Sequence, residues 1–178
     1  MADTQRTLAA LQALLPDNTS GDISPQDVRD FLVSASPNYG ALSLSVAAAT
    51  AIAVPGTFVK AAGTTVAGLL KNYTMPANNR LTDGGAVARL ARVQADISAT
   101  VAVVNQETRF RLAVNGITDP TTEQRRFFPT IANPGSISVS GLLLLNPADF
   151  VEVWVTNQTA ANAVTAVSLT LSIVDFVV

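Results

Sequence analysis

The sequence predicts a mainly β protein, an antiparallel sandwich behind a short N-terminal helical arm. Two changes along the chain carry that reading. Up to about residue 36, apolar residues recur every three to four positions. From Gly40 onward the period is two, and Val, Thr, Ser and Ile dominate, which is the composition pleated strands favour. Pro, Gly and Asn then punctuate the chain at intervals short enough for a succession of strands.

The arm comes first. Leu8, Leu11, Leu14 and Leu15 line one face of a short amphipathic helix that Pro16 stops. After the turn-rich Asp17–Asp22, Ser24 suits an N-cap, Pro25 the first helical position and Asp27 the third position of a capping box. The second helix that starts there carries Val28, Phe31 and Leu32 as an apolar stripe, with Asp27, Arg29 and Asp30 left for solvent or a partner. Ser36-Pro37-Asn38 ends it. The expected division is therefore an arm over residues 1–36 and a sandwich over 40–178.

Strands are expected at 42–54, 57–62, 64–70, 87–103, 108–115, 136–145, 150–157 and 164–177, and eight such strands fit a jelly roll. The clearest is 91–103, where Ala91, Val93, Ala95, Ile97, Ala99, Val101 and Val103 alternate with polar residues, so that one face covers a core. Phe110, Leu112 and Val114 repeat the pattern before an Asn115-Gly116 turn. Ile137 and Val139 alternate with serines, but after Gly141 four leucines follow in a row and the alternation is lost. In 150–157, Val151, Val153 and Val155 form one face, while Phe150 and Trp154 flank Glu152 on the other. A strand with apolar bulk on both sides needs two partners, so Phe150 and Trp154 are expected near a subunit interface. The last strand places Val167, Leu169, Leu171 and Ile173 inward.

Composition supports assembly before any particular site is considered. Hydrophobic residues make up 48% and charged residues 13% of the 178; the charged share is about half that of an average soluble domain. One globule of this size has limited interior, so the apolar surplus points to a second buried surface between identical subunits. No apolar run is long enough to span a bilayer, and the N-terminus lacks the pattern of a secretory signal, so synthesis in the cytoplasm without a membrane partner is expected. The net charge is −2 and the basic residues are scattered, so no nucleic-acid footprint is expected.

The chain has neither His nor Cys, which removes the usual nucleophile–base pairs and the common transition-metal ligands. No catalytic residue, cofactor or metal is expected. The nearest carboxylate pair, Asp149 and Glu152, falls on opposite faces of one strand and reads as a turn aspartate plus a solvated or interface glutamate, not a glycosidase pair. Asp17–Asp22 misses the glycine position and terminal glutamate of a calcium loop, and Asp83-Gly84-Gly85 lacks the lysine and following helix of a phosphate loop, so both read as turns. The most unusual surface string is Arg125-Arg126-Phe127-Phe128, expected in a loop between Pro120 and Pro129. It reads either as a contact to a neighbouring subunit or a sugar, or as rings capping the sandwich while the arginines stay wet.

Two stretches carry a resemblance. QALLPDNTSGDISPQDVRDFLVS, Gln12 to Ser34, resembles a segment near the start of many tailed-bacteriophage virion proteins, head fibres and tail fibres among them. From about Tyr73 to Val178 the segments RFRLAVNG, SISVSGLLLLNPADFVEVWVTN and SLTLSIVDF are similar in pattern to phage domains with a tumour-necrosis-factor-like jelly roll, with Ala148 where that pattern usually has Gly. The resemblance implies a non-enzymatic virion protein, a capsid decoration, cement or head-fibre protein, acting as a homotrimer whose subunits pack around a threefold axis. Its N-terminal region would attach to the major capsid protein or another virion protein. Leu11, Leu15, Val28, Arg29, Phe31 and Leu32 are then the expected anchoring residues, and Phe150, Trp154, Phe127 and Phe128 the expected trimer contacts. The alternative is a tail-fibre or tail-tip protein that recognises host-surface glycan.

Overall fold

The structure is a computed structural model that describes residues 6–14, 23–131 and 133–177. The arm holds α1 (Leu8–Leu14) and α2 (Pro25–Ala35). At the start of α2 the expected capping box is complete: the Asp27 backbone N–H donates to Ser24 Oγ at 3.2 Å, and the Ser24 N–H donates to Asp27 Oδ2 at 2.9 Å. The Ser24 hydroxyl also donates to Asp27 Oδ2 at 2.7 Å, and that bond, followed by the one from the Ser24 N–H, holds the Asp27 carboxyl below the usual range. Arg6 ties the two helices together, its Nε 2.8 Å from Asp30 Oδ2 and its N–H 2.9 Å from Ser34 Oγ.

Thirteen strands follow in the described chain: β1 (Asn38–Ala47), β2 (Ala49–Thr50), β3 (Val59–Lys60), β4 (Gly63–Lys71), β5 (Tyr73–Thr74), β6 (Arg80–Asp83), β7 (Arg89–Val101), β8 (Gln106–Val114), β9 (Ile117–Thr118), β10 (Gln124–Phe128), β11 (Gly135–Leu145), β12 (Phe150–Asn157) and β13 (Val164–Val177). They form two antiparallel sheets. The front sheet has the order β11-β7-β13-β1-β4 with β2 beside β13; the back sheet has the order β10-β8-β12-β6-β5 with β3 beside β12 and β9 beside β8. The chain crosses between the sheets from β2 to β3, β3 to β4, β4 to β5, β6 to β7, β7 to β8, β10 to β11, β11 to β12 and β12 to β13, which is a jelly-roll connection.

All eight expected runs contain strands. The polar segments β6 and β10 join them, because each finds a ladder partner, β6 on β12 and β10 on β8. Arg125–Phe128 is therefore part of an edge strand and not a loop.

Alternation fixes which side chains are inside. Ala91, Val93, Ala95, Ile97, Ala99 and Val101 of β7 face Phe110 and Leu112 of β8 and Val151, Val153 and Val155 of β12, and all are buried. Leu169, Leu171 and Ile173 complete the front layer as expected, but Val167 points out. A bulge between Ala166 and Ser168 inserts one residue against β7 and turns Val167 away from the core. Glycines allow two close approaches: a Cβ on Gly135 would lie 2.7 Å from the Phe128 ring, and one on Gly40 would lie 2.9 Å from Tyr73 Cβ.

One end of the sandwich encloses charge. Arg89 and Asp175 are fully buried and paired, Nη1 to Oδ1 at 3.2 Å. The Tyr73 hydroxyl donates to Asp175 Oδ2 at 2.6 Å, and burial followed by that bond raises its pKa far above the usual tyrosine value. Asp83 lies in the same cluster and accepts from the Gly85 N–H at 2.8 Å; burial, above all, raises its pKa.

Candidate subunit interface

Cross-strand register arranges the outer face of the front sheet in rows. In the first row Leu144 of β11, Leu90 of β7 and Phe176 of β13 stand side by side. In the second, Leu142, Arg92, Val174 and Tyr39 follow across β11, β7, β13 and β1. The third row is Ser140, Gln94, Ser172 and Ala41, the fourth Ser138, Asp96, Thr170 and Ser43, and the fifth Ser136, Ser98 and Ser168. Across β11, β7 and β13 the face thus runs from apolar to hydroxyl-rich, while at the β4 margin Val66 stands exposed beside Ser43; the polar end holds a shallow groove of about 340 Å³ lined by Asp96, Ser98, Ser136, Ser138, Ser168 and Thr170.

The apolar end is open to solvent. Leu142 is 68% exposed, Leu144 59% and Phe176 57%, and Leu90, Val174 and Tyr39 are exposed beside them. Large side chains adjacent on four neighbouring strands, from the edge strand β11 across β7 and β13 to β1, form a patch of the kind that marks a contact with another chain. Its signal in the sequence was the loss of alternation after Gly141: Leu143 and Leu145 turn into the core, whereas Leu142 and Leu144 face out.

The residues expected as trimer contacts belong to the back sheet. Phe150 and Trp154 are on the outer face of the back sheet, half-buried under groups of their own chain. The Arg80 guanidinium sits 3.7 Å above the Phe150 ring. The Trp154 indole N–H donates to Glu152 Oε2 at 3.0 Å. Glu152 is neither solvated nor an interface group: at 2% exposed it takes Arg80 Nη2 at 2.9 Å and Lys60 Nζ at 3.1 Å on Oε1. Three basic or N–H donors from strands β3, β6 and β12 explain why a carboxylate is tolerated there. Phe128 is a core residue, 2% exposed, and has no surface to offer a second subunit; its neighbour Phe127 is exposed.

The carboxylate pair considered from sequence is not poised for acid–base work. Burial pushes the Asp149 carboxyl up, but hydrogen bonds from Asn115 Nδ2 and from the Asn146 backbone and side chain outweigh it and leave it below the usual range. Both Glu152 oxygens are engaged. Among the described residues no cluster of three or more acidic side chains is placed to hold a metal, and no helix is long and apolar enough to cross a membrane.

In the arm, Leu11 is buried whereas Val28, Phe31 and Leu32 are exposed along one side of α2. Arg29 Nη2 donates to Gln26 Oε1 at 2.7 Å beside them. Leu15 and the Asp17–Asp22 turn lie outside the described residues.

Comparison of folds now decides the architecture. The chain is similar in structure to Eiger, a TNF of S. frugiperda, with a TM-score of 0.51 at 13% sequence identity over 79% of this chain and 94% of that one. The fold is a tumour-necrosis-factor-like jelly roll. Murine APRIL at pH 8.5 aligns with a TM-score of 0.45 at 11% identity, covering 78% of this chain and 99% of that one. Pika GITRL aligns with a TM-score of 0.36 at 8% identity, covering 77% and 94%. No protein-family profile and no curated protein matches the sequence. At such identities the likeness concerns fold alone, so function has to be argued from the faces just described.

Proposed function

We propose that this chain is a non-enzymatic structural protein of a bacteriophage virion, a homotrimeric capsid decoration or head-fibre protein made in the host cytoplasm. Three copies pack front sheet to front sheet flank around a threefold axis, and the helical arm attaches the trimer to the major capsid protein or another virion protein.

The observation that carries this reading is the exposed apolar end of the front sheet. Leu90, Leu142, Leu144 and Phe176 are costly to leave in water, and a second and third copy of the same surface offer complementary cover. The arm supplies a separate apolar stripe, Val28, Phe31 and Leu32, within the Gln12–Ser34 segment whose pattern resembles phage virion proteins. Three arms on one trimer engage a repeating lattice with combined strength, so no single stripe has to bind tightly.

The test separates assembly from attachment. Light scattering of the full-length protein should give three times the 18.5 kDa chain mass. A Val28→Asp, Leu32→Asp variant should keep that mass and lose binding to phage particles lacking the endogenous protein. A monomeric wild type refutes the assembly claim; particle binding undiminished in the variant refutes the role of the arm.

A further inference from the structure

We infer that the outer face of the back sheet is a binding surface for an acidic polysaccharide, a sugar polymer bearing carboxylates or sulfate esters. This goes beyond the assembly reading and does not depend on what the arm attaches to.

The first observation is a local reversal of charge. The chain carries eleven Lys and Arg against thirteen Asp and Glu. Register and ion pairing nevertheless gather five of those cations on one face, Lys60, Arg80, Arg109, Arg111 and Arg125, with only three carboxylates, Glu107, Glu123 and Glu152. A cationic face on an otherwise acidic protein attracts an anionic partner and orients it at encounter.

The second is the chemistry that the arginines already perform. Three guanidiniums converge on the Glu123 carboxylate: Arg111 through Nη2 at 2.6 Å and Nε at 3.0 Å, Arg125 through Nε at 2.9 Å, and Arg109 through Nη1 at 3.6 Å. Burial raises the Glu123 pKa, but the hydrogen bonds from Arg111 and Arg125 and the charges of Arg111 and Arg109 outweigh it and leave the group below the usual glutamate range. Glu123 cannot absorb all the charge facing it. The Arg125 side chain is 62% exposed even while it makes this bond. A guanidinium is a planar fork suited to a carboxylate or a sulfate, and Arg125 presents the free side of that fork outward.

The third is the pairing of cations with aromatic rings. Arg80 lies over Phe150, Arg111 lies over Phe58 with 4.3 Å to the ring centre, and Phe127 is exposed one residue pair along β10 from Arg125. The exposed Phe127 ring supplies a flat apolar platform for the C–H face of a sugar, and Phe150 and Phe58 hold Arg80 and Arg111 in place as fixed positive groups on the same face. Lys60, Arg80, Arg109, Arg111, Arg125 and Phe127 stand on laddered strands, and Phe58 lies just before β3, so little order has to be gained on binding. The Arg125–Phe127 string singled out in the sequence is the exposed edge of this surface.

Among polyanions, nucleic acid fits less well. A phosphodiester backbone presents its charges without a pyranose C–H face for the exposed Phe127 beside Arg125, whereas an acidic polysaccharide presents both. In a trimer closed through the front sheets, the back sheets face outward, and three such surfaces on one particle raise the avidity for a long polymer.

The experiment uses the full-length protein, immobilised, with alginate as the carboxylated probe, dextran sulfate as the sulfated one, neutral dextran as control and single-stranded DNA as competitor. Expected is salt-sensitive binding to alginate or dextran sulfate and none to neutral dextran, with whichever acidic polymer binds more tightly naming the acid group. Arg125→Glu should weaken that binding by about tenfold or more, and Arg125→Lys, which keeps charge but loses the fork, by less. Unchanged circular dichroism of both variants confirms that the fold is intact. The inference is overturned by no binding to either acidic polymer, by binding that Arg125→Glu leaves untouched, or by DNA that binds as tightly as the polysaccharides.

Discussion

Replacing Leu144 by Asp tests the assembly claim most directly. Leu144 faces outward in the row with Leu90 and Phe176, so the fold of one subunit does not need it. Burying a leucine completely contributes about 1.5–3 kcal/mol. With 59% of its surface still outside in the single chain, about 1–2 kcal/mol per subunit remains to be gained by covering it. Over three equivalent copies the loss is about 3–5 kcal/mol, and a carboxylate forced into the contact adds its own desolvation cost. At about 1.4 kcal/mol per factor of ten, trimer dissociation should become at least about a hundredfold easier. Sedimentation velocity across a micromolar dilution series reads that change. Ile117→Asp is the control: Ile117 is more exposed than Leu144 but sits at the β8–β9 hairpin of the back sheet, and its substitution should leave assembly unchanged. The reasoning is refuted if Leu144→Asp leaves the trimer intact, or if Ile117→Asp dissociates it as readily.

Two further outcomes follow from the buried charges. Glu152→Ala strands Lys60, Arg80 and the Trp154 indole N–H. Because the two cations are about a third exposed and can recruit water, the expected loss is about 2–3 kcal/mol, below that of a fully enclosed pair; urea unfolding followed by the fluorescence of the single Trp measures it, and a loss near zero contradicts the assigned contacts. Asp83→Asn keeps the acceptor for the Gly85 N–H but removes a charge that burial opposes. Since the folded-state pKa of Asp83 lies above its ordinary 3.8, its contribution to stability is fully present below that value and is lost as pH rises through the raised one. The variant should therefore gain on the wild type between acid and neutral pH in thermal unfolding, and a difference that does not change with pH excludes this account.

How much the sequence disclosed varied with the range of the interaction. Strand β7 was legible from Ala91 to Val101 because its alternation is a property of consecutive residues, though Val103, read as the last inward residue, lies past its end and is exposed; the α2 capping box was legible because its two partners are three positions apart. Val167 was misplaced because a bulge changes register without a mark in the composition. Strands β6 and β10 carry too much polar side chain to read as strands alone; their pairing with β12 and β8 makes them so. Glu152 shows the limit most clearly. Its burial depends on Arg80, 72 residues away, and on Lys60, so a local reading could only place it on the wet side of β12. Arg80 likewise covers the Phe150 ring and Glu152 takes the Trp154 indole N–H, so the bulkiest outward pair of β12 is half-buried within its own chain.

In the assembly proposed above, the gradient across β11, β7 and β13 gives a reason why the apolar surface would select a defined partner and not stick indiscriminately. A face of uniform leucine would be satisfied by any neighbour in any register. Here the rows of Leu144–Leu90–Phe176 and Leu142–Arg92–Val174 give way within two residue pairs to Gln94, Asp96 and a field of hydroxyls. A neighbour that slides toward the polar end must strip water from Asp96 without replacing it, while one that slides the other way leaves leucine in solvent. Arg92, set between Leu142 and Val174, adds a charge that has to reach either water or an acceptor on the adjoining copy. Only a narrow set of approaches covers the first two rows and leaves the lower three wet. That selectivity comes from the same alternation that builds the core, since Leu143 and Leu145 are fixed inward and Leu142 and Leu144 are thereby fixed outward.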